Sequence, residues 1–228
     1  MSDFTIDDIY VYIFSWKHVT NNAVALYQKI SPYFPRTTLI NCDENSQDLP
    51  ISAPNIIQLD DRYYYGGQFH TAINNTPPGK ILACVVGDVS PDADWAGIAR
   101  NAVVAFNRGD IGIYAPNVYY TYWTLRGAHI AGELFDVDNT DCTCWFLHPI
   151  PTERFRPLDY FGLSNFGWGI DKIFCGGARA AGLHVARDYS KLVTQPKGTA
   201  YSEREAGIQM QALIAAHDAL HDNTNKSQ

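Results

Sequence analysis

The sequence is short of the features that send a chain to a membrane or to nucleic acid. No stretch of its 228 residues approaches the roughly 18 consecutive apolar positions that a membrane-spanning helix needs. Basic residues are in the minority: 17 Lys and Arg against 24 Asp and Glu leave a formal net charge of −7. A nucleic-acid binder usually presents the opposite sign, so nucleic acid is not expected as a partner. A small anionic ligand stays compatible, because helix N-termini and a bound cation hold phosphate locally. The opening MSDFTIDDIYVYIF bears acids where a signal peptide needs a basic region, so a cytoplasmic protein is expected. Cysteine is scarce and odd in number. Cys42, Cys84, Cys142, Cys144 and Cys175 form no CxxC pair, which argues against structural zinc. They are expected to be buried thiols, although Cys142 and Cys144 would share a face if they lay in a strand. Charge is also sparse, 18% against 46% hydrophobic residues, which excludes a disordered chain.

What is present is an alternation of apolar runs and helical patterns. Strands are expected at 9–15, 37–42, 56–59 and 80–86, with helices at 18–31, 68–75 and 93–106 between or after them. The run KILACVV is nearly continuous in apolar residues, as a central parallel strand requires. Strand alternating with helix signals an open α/β sheet. The second half reads differently, with aromatic-rich strands at 111–123 and 142–147 and a glycine and aromatic segment at 160–169. A helix at 172–181, a short strand at 183–186 and a closing helix at 202–221 follow. Ser202 and Glu205 fit a capping box for the last of these.

In parallel sheets, ligands sit beyond the carboxyl ends of the strands. Three expected strands end in acids here: Asp43, then Asp60 and Asp61, then Asp88. Taken singly, each is as well explained by capping a turn or helix. Taken together they converge on one edge, where carboxylates hold a divalent cation or accept hydrogen bonds from a ribose.

The run ILACVVGDVSPDADW and the later NFGWGIDKIF resemble elements of GT-A glycosyltransferases, especially the inverting family 2 group and its galactosyltransferase-like relatives. The resemblance extends from Ile9 to about Tyr201. It implies a GT-A-like single domain: a mainly parallel sheet flanked by helices, with an antiparallel extension on the acceptor side. Residues 1–110 or so would form the nucleotide-sugar half, and about 111–221 the acceptor-side and catalytic half. In the resembled family a D-x-D element binds a metal and the donor diphosphate. Asp88 matches its first acid, and Ser90 stands at its second. Asp43 and Asp61 match positions that contact the nucleotide. The element W-G-x-D is matched by Trp168, Gly169 and Asp171, which makes Asp171 the implied general base. Trp168, with Phe166 and Gly169, would meet the sugar. The family's closing histidine, a metal ligand, is replaced here by Thr194 or Gln195, and His184 upstream is a candidate displaced ligand. The implied cofactor is therefore a divalent metal, manganese or magnesium, at Asp88, His184 and Gln195. Without a metal, Lys191 or Lys197 would serve the phosphates.

The implied reaction is inverting transfer of a sugar from a nucleoside-diphosphate sugar, with uridine the commonest base, to a hydroxyl acceptor. Two other readings stand beside it. One is a non-catalytic sugar-nucleotide or glycan-binding module, supported by the altered metal positions and by the aromatic runs YYY at 63–65 and YYTYW at 119–123. The other is a haloacid-dehalogenase-type phosphatase, because LFDVDNTD resembles that nucleophile motif with Asp136 and Asp138 as its acids.

Overall fold

The computed structural model describes residues 3–43, 55–119, 127–196 and 201–225. The expected aromatic positions 120–123 and Lys197 lie outside these residues.

The first strand, β1 (Ile9–Ser15), shows how the layers form. Alternate residues face opposite sides of a strand. Ile9, Val11 and Ile13 enter one apolar layer, while Tyr12 and Phe14 enter the other. Both faces are therefore covered, as a parallel sheet requires. Helices α1 (Thr20–Ile30) and α3 (Trp95–Asn107) cover the first face. Helix α2 (Tyr65–Asn75) covers the second, joined by α4 (Pro149–Phe155), α5 (Tyr160–Leu163), α6 (Ile170–Ala180) and α7 (Glu203–Asn225).

The remaining strands are β2 (Arg36–Asn41), β3 (Ile56–Gln58), β4 (Ile81–Val86), β5 (Ile111–Tyr119), β6 (His129–Ala131), β7 (Leu134–Asp136), β8 (Cys144–Leu147) and β9 (His184–Thr194). They form one nine-stranded sheet in the order β3-β2-β1-β4-β8-β5-β9-β7-β6. Strands β1 to β4 run parallel. Strand β8 runs against both β4 and β5, and β5 and β9 run parallel to each other. The hairpin β6–β7 closes the far edge antiparallel to β9. A single sheet thus carries both halves, mainly parallel on one side and mixed on the other.

Several elements differ from the sequence expectation. Helix α2 begins at Tyr65 rather than 68, because Gly66 and Gly67 let its first turn press on the backbone and side chain of Ser164 and Asn165. Helix α4 starts at Pro149 in a Pro-Ile-Pro run, where proline is tolerated because first-turn N–H groups have no helical acceptor. Strand β9 runs on to Thr194 through polar residues, since β7 pairs with it from Ala186 to Asp188 and β5 pairs with it again from Leu192 to Thr194.

Candidate functional site

The carboxyl ends of β1 to β4 meet at one edge, and polar residues gather there. Ser15 closes β1 and is fully buried. Its N–H donates to Gln68 Oε1 at 2.9 Å, and its hydroxyl to Asn41 Oδ1 at 3.2 Å. Asn41, closing β2, donates from Nδ2 to Gln58 Oε1 and to the Asp43 carbonyl, both at 2.9 Å. Thr20, on the first turn of α1, donates to Asp43 Oδ2 at 3.3 Å. The result is a hydrogen-bonded floor under Asp43, buried at Ser15, Thr20, Asn41 and Gln68 and reaching the surface at Gln58. Asp61 lies at the same edge, exposed, with Lys17 Nζ 3.6 Å from its carboxylate. Lys17 has a φ of +31°, in the region that side chains rarely adopt.

Asp88 sits just past β4. Gly87 N–H donates to the Phe14 carbonyl at 2.7 Å, and Asn22 Nδ2 donates to the carbonyls of Gly87 and Val89 at 2.6 and 2.7 Å. The backbone on either side of Asp88 is therefore fixed. Its Oδ1 is buried yet accepts no hydrogen bond from the described residues. Burial raises its pKa above the ordinary carboxylate value, since taking the charge out of water disfavours the ionised form. A buried acceptor without a donor is costly, and such atoms mark places where a ligand or ion completes the shell.

The same loop meets β9. Ser90 N–H donates to the Thr194 carbonyl at 2.8 Å, which brings Gln195 beside Ser90. Asp171 arrives from another direction, in the first turn of α6. Gly169 caps that helix at φ +91°, and an added Cβ would fall 2.9 Å from Met210, so glycine is required there. The Asp171 charge acts on the Cys142 thiol, whose pKa is raised mainly by burial. Next to Cys142, the Thr143 carbonyl accepts from Val86 N–H at 2.9 Å. Gly167, four residues before Asp171, lies against the Tyr65 ring, whose hydroxyl donates to the Cys142 carbonyl at 2.9 Å, so the start of α6 stands at the same sheet edge as Asp88. Around it lies an aromatic cluster. Phe166 stacks on Tyr201 with centroids 4.7 Å apart and meets Tyr64 at 4.9 Å, and Trp168 Nε1 donates to the Tyr201 hydroxyl at 3.0 Å.

So Asp43, Asp61, Asp88, Ser90, Gln195, Phe166, Trp168, Gly169 and Asp171 gather at one edge, and His184 does not. It opens β9, the strand that only reaches Ser90 at Thr194. At about 3.3 Å per residue the intervening strand separates it from Asp88 by more than roughly 20 Å. Its Nδ1 lies instead 3.1 Å from Asp136. The expected three-part metal set of Asp88, His184 and Gln195 is corrected to one without His184. Among the described residues, no group of three His, Cys, Asp or Glu could hold a metal ion. The phosphatase reading is also corrected. Asp136 lies in a short antiparallel strand near the far edge, accepting from Val185 N–H and Arg179, and Asp138 is exposed. Neither carboxylate sits beyond a parallel strand where a phosphoryl group would enter. Lys191 is committed to Asp94, the N-cap of α3, at 2.6 Å. All five cysteines are free thiols, and burial pushes those of Cys42 and Cys175 up to about 12.

The sequence reading missed Ser15, Thr20, Asn41, Gln58 and Gln68. Their signal was a polar residue at or near the end of an apolar run. Polar residues next to loops are so common that this signal singles out none of them.

No family model matches the sequence, and no curated protein is significantly similar to it. Solved structures do share its fold. A mannose-1-phosphate geranyltransferase from Thermus thermophilus superposes with a TM-score of 0.50 at 12% identity, covering 83% of this chain and 75% of the other. GalNAc-T7, solved with UDP, GalNAc and Mn2+, superposes with a TM-score of 0.50 at 11% identity, covering 84% of this chain and 44% of the other. At these identities the likeness is one of architecture. The chain has the expected GT-A-like α/β fold, a large central sheet flanked by helices. No helix among the described residues is long and apolar enough to cross a membrane.

Proposed function

We propose that this protein transfers a sugar, with inversion, from a nucleoside-diphosphate sugar to an acceptor hydroxyl. The observation that carries the reading is the buried Oδ1 of Asp88, unmet among the described residues and held beyond β4 on a loop bonded to Thr194. The donor's nucleoside would lie over the floor of Ser15, Asn41 and Asp43, its diphosphate at Asp88 and Ser90. A divalent cation fits this place, because Asp88, Ser90 and Gln195 offer hard oxygen donors beside those of the phosphates themselves. When bound, it would neutralise the charge on the diphosphate leaving group.

The chain's own residues then do the rest. Asp171, presented by α6, accepts the proton of the acceptor hydroxyl as that oxygen bonds to the anomeric carbon. The bond from that carbon to the diphosphate oxygen breaks on the opposite face, and the nucleoside diphosphate departs. One displacement gives inversion and needs one base. The half-buried Tyr64, Phe166, Trp168 and Tyr201 would shield this step and face the acceptor sugar.

A second reading is a sugar-nucleotide or glycan-binding module without turnover. It is favoured by one observation: Ser90 stands where a second carboxylate would strengthen the cation site.

Thermal unfolding against nucleoside diphosphates and their sugars, with and without manganese, tests the donor site, since a ligand of the folded state raises its stability. A shift with one nucleoside diphosphate is expected. Asp171→Asn should keep that shift and lose transfer by about 10²-fold or more. Wild-type turnover in the variant would remove Asp171 as base. A nucleotide shift without any transfer by wild type would favour the binding module. No shift with any nucleotide would overturn the donor site itself.

A further inference from the structure

Strand β9 leaves register with β5 on its way to the site. Pro116 pairs with Asp188, but the next residue, Asn117, pairs with Leu192. Tyr189, Ser190 and Lys191 are thus an excursion from the ladder. Such irregularities re-aim side chains and recur beside functional sites. This one is closed by a carboxylate that is 4% exposed. Asp188 Oδ1 accepts from Ser190 N–H at 2.9 Å and from the Ser190 hydroxyl at 2.6 Å. Its Oδ2 accepts from the Tyr114 hydroxyl at 2.7 Å and from Asn101 Nδ2 at 2.8 Å. Four donors meet the four acceptor positions a carboxylate has, so no other group of that size satisfies them all.

The consequences of the excursion are felt at residues 87–94. Lys191, turned out of the ladder, reaches Asp94 at the start of α3. After the ladder resumes at Leu192, the Thr194 carbonyl accepts from Ser90 N–H. The loop that bears Asp88 is therefore tied to β9 at two points, one on each side of the excursion's end. The third partner, Asn101, lies on α3 itself, so Asp188 bonds to the helix that this loop leads into.

We propose that Asp188 is a positioning residue for the phosphate end of the donor site. By fixing the excursion against Tyr114, Asn101 and Ser190, it sets where Thr194 and Gln195 stand relative to Asp88 and Ser90. The proposal rests on the donor-site reading given above.

The test is Asp188→Asn, which replaces an acceptor with an amide facing two donors. Hydrogen exchange in the absence of ligand reads the positioning directly. Peptides containing Ser90 and Thr194 should exchange about tenfold faster, as expected when one bond holding a loop is loosened by about 1.4 kcal/mol. Peptides of β1 and β2 should be unchanged. Affinity for the nucleoside diphosphate found by thermal shift should fall about tenfold, while affinity for the bare nucleoside stays. Ser190→Ala, which keeps the carboxylate and removes one of its donors, is the milder companion should Asp188→Asn fail to fold; it should move the same peptides less. Unchanged exchange at Ser90 in both variants would overturn the proposal. So would acceleration across the whole sheet, which would make Asp188 a general support of the fold. Faster exchange at Ser90 with no loss of diphosphate affinity would uphold the positioning and instead refute the placing of phosphates at Asp88.

Discussion

Replacing Asp88 by Asn should make the protein more stable while impairing it. The carboxylate is partly withdrawn from water, its Oδ1 meets no donor among the described residues, and burial raises its pKa. A carboxyl whose pKa is higher in the folded than in the unfolded chain favours the fold while it is protonated. That contribution is complete below the ordinary carboxylate range and is lost as pH rises through the raised folded value. At neutral pH the ionised group is therefore a net cost, which Asn removes at nearly constant shape. Leaving a buried polar atom unmet costs about 1–3 kcal/mol and more when the group is charged, so the amide, itself still unmet, costs less than the ionised carboxylate by an amount of that order. Taking the lower end, because Asp88 is only partly enclosed, the gain is about 1 kcal/mol. For a chain of this size that raises Tm by about 2–4 °C. The assay is thermal unfolding of both proteins from acid to neutral pH without ligand. The gain should vanish at acid pH and level off once Asp88 has ionised in the folded wild type. Adding manganese with the nucleoside diphosphate should reverse the order, stabilising wild type and leaving Asp88→Asn almost unmoved. A variant less stable than wild type at neutral pH would refute the reasoning, since the charge would then have a partner that offsets its burial.

Two further substitutions separate site from scaffold. Gly66→Ala would place a methyl 1.8 Å from the Ser164 carbonyl oxygen, so α2 and the segment leading to Asp171 must part. Chemical denaturation should show a loss of about 2–4 kcal/mol, as for other overpacked or strained positions, and a loss under about 0.5 kcal/mol would mean the two segments are not held together. His184→Ala should leave any manganese dependence of nucleotide binding unchanged, because His184 opens β9 and pairs with Asp136; a lost metal response would return it to the cation site.

The first half of the chain was legible because each of its signals is local. An apolar run, a polar residue closing it and a helical period after it are all properties of neighbours in sequence. That is why β1 to β4, α1, α3 and the convergence of Asp43, Asp61 and Asp88 follow from the chain alone. The second half depends on partners far away. Strand β9 carries Arg187, Asp188 and Ser190, which look like loop residues until Tyr114, Asn101 and Asp141 are beside them. Strand β7 contains Asp136, whose carboxylate is met in the sheet by Arg179, His184 and the Val185 N–H. His184 itself was a plausible metal ligand by residue type, and only the length of β9 removes it. Asp171 could be suspected from its glycines and tryptophan. That it shares an edge with Asp88 depends on Thr143 pairing with Val86, a contact no spacing reveals.

The reversed strand β8 also bears on how the chain comes to be folded. It stands between β4 and β5, yet it is made after both. While the chain is being synthesised, the segment ILACVV of β4 can pair with β1 as soon as it appears, but its other side has no neighbour until residues 144–147 follow. An apolar strand with an open edge is a template for wrong pairing, within one chain or between chains. The nascent protein must therefore carry its stickiest surface through the making of α3, β5 and the β6–β7 hairpin. Its yield in a cell should depend more on what shields β4 during that interval than on the stability of the finished sheet.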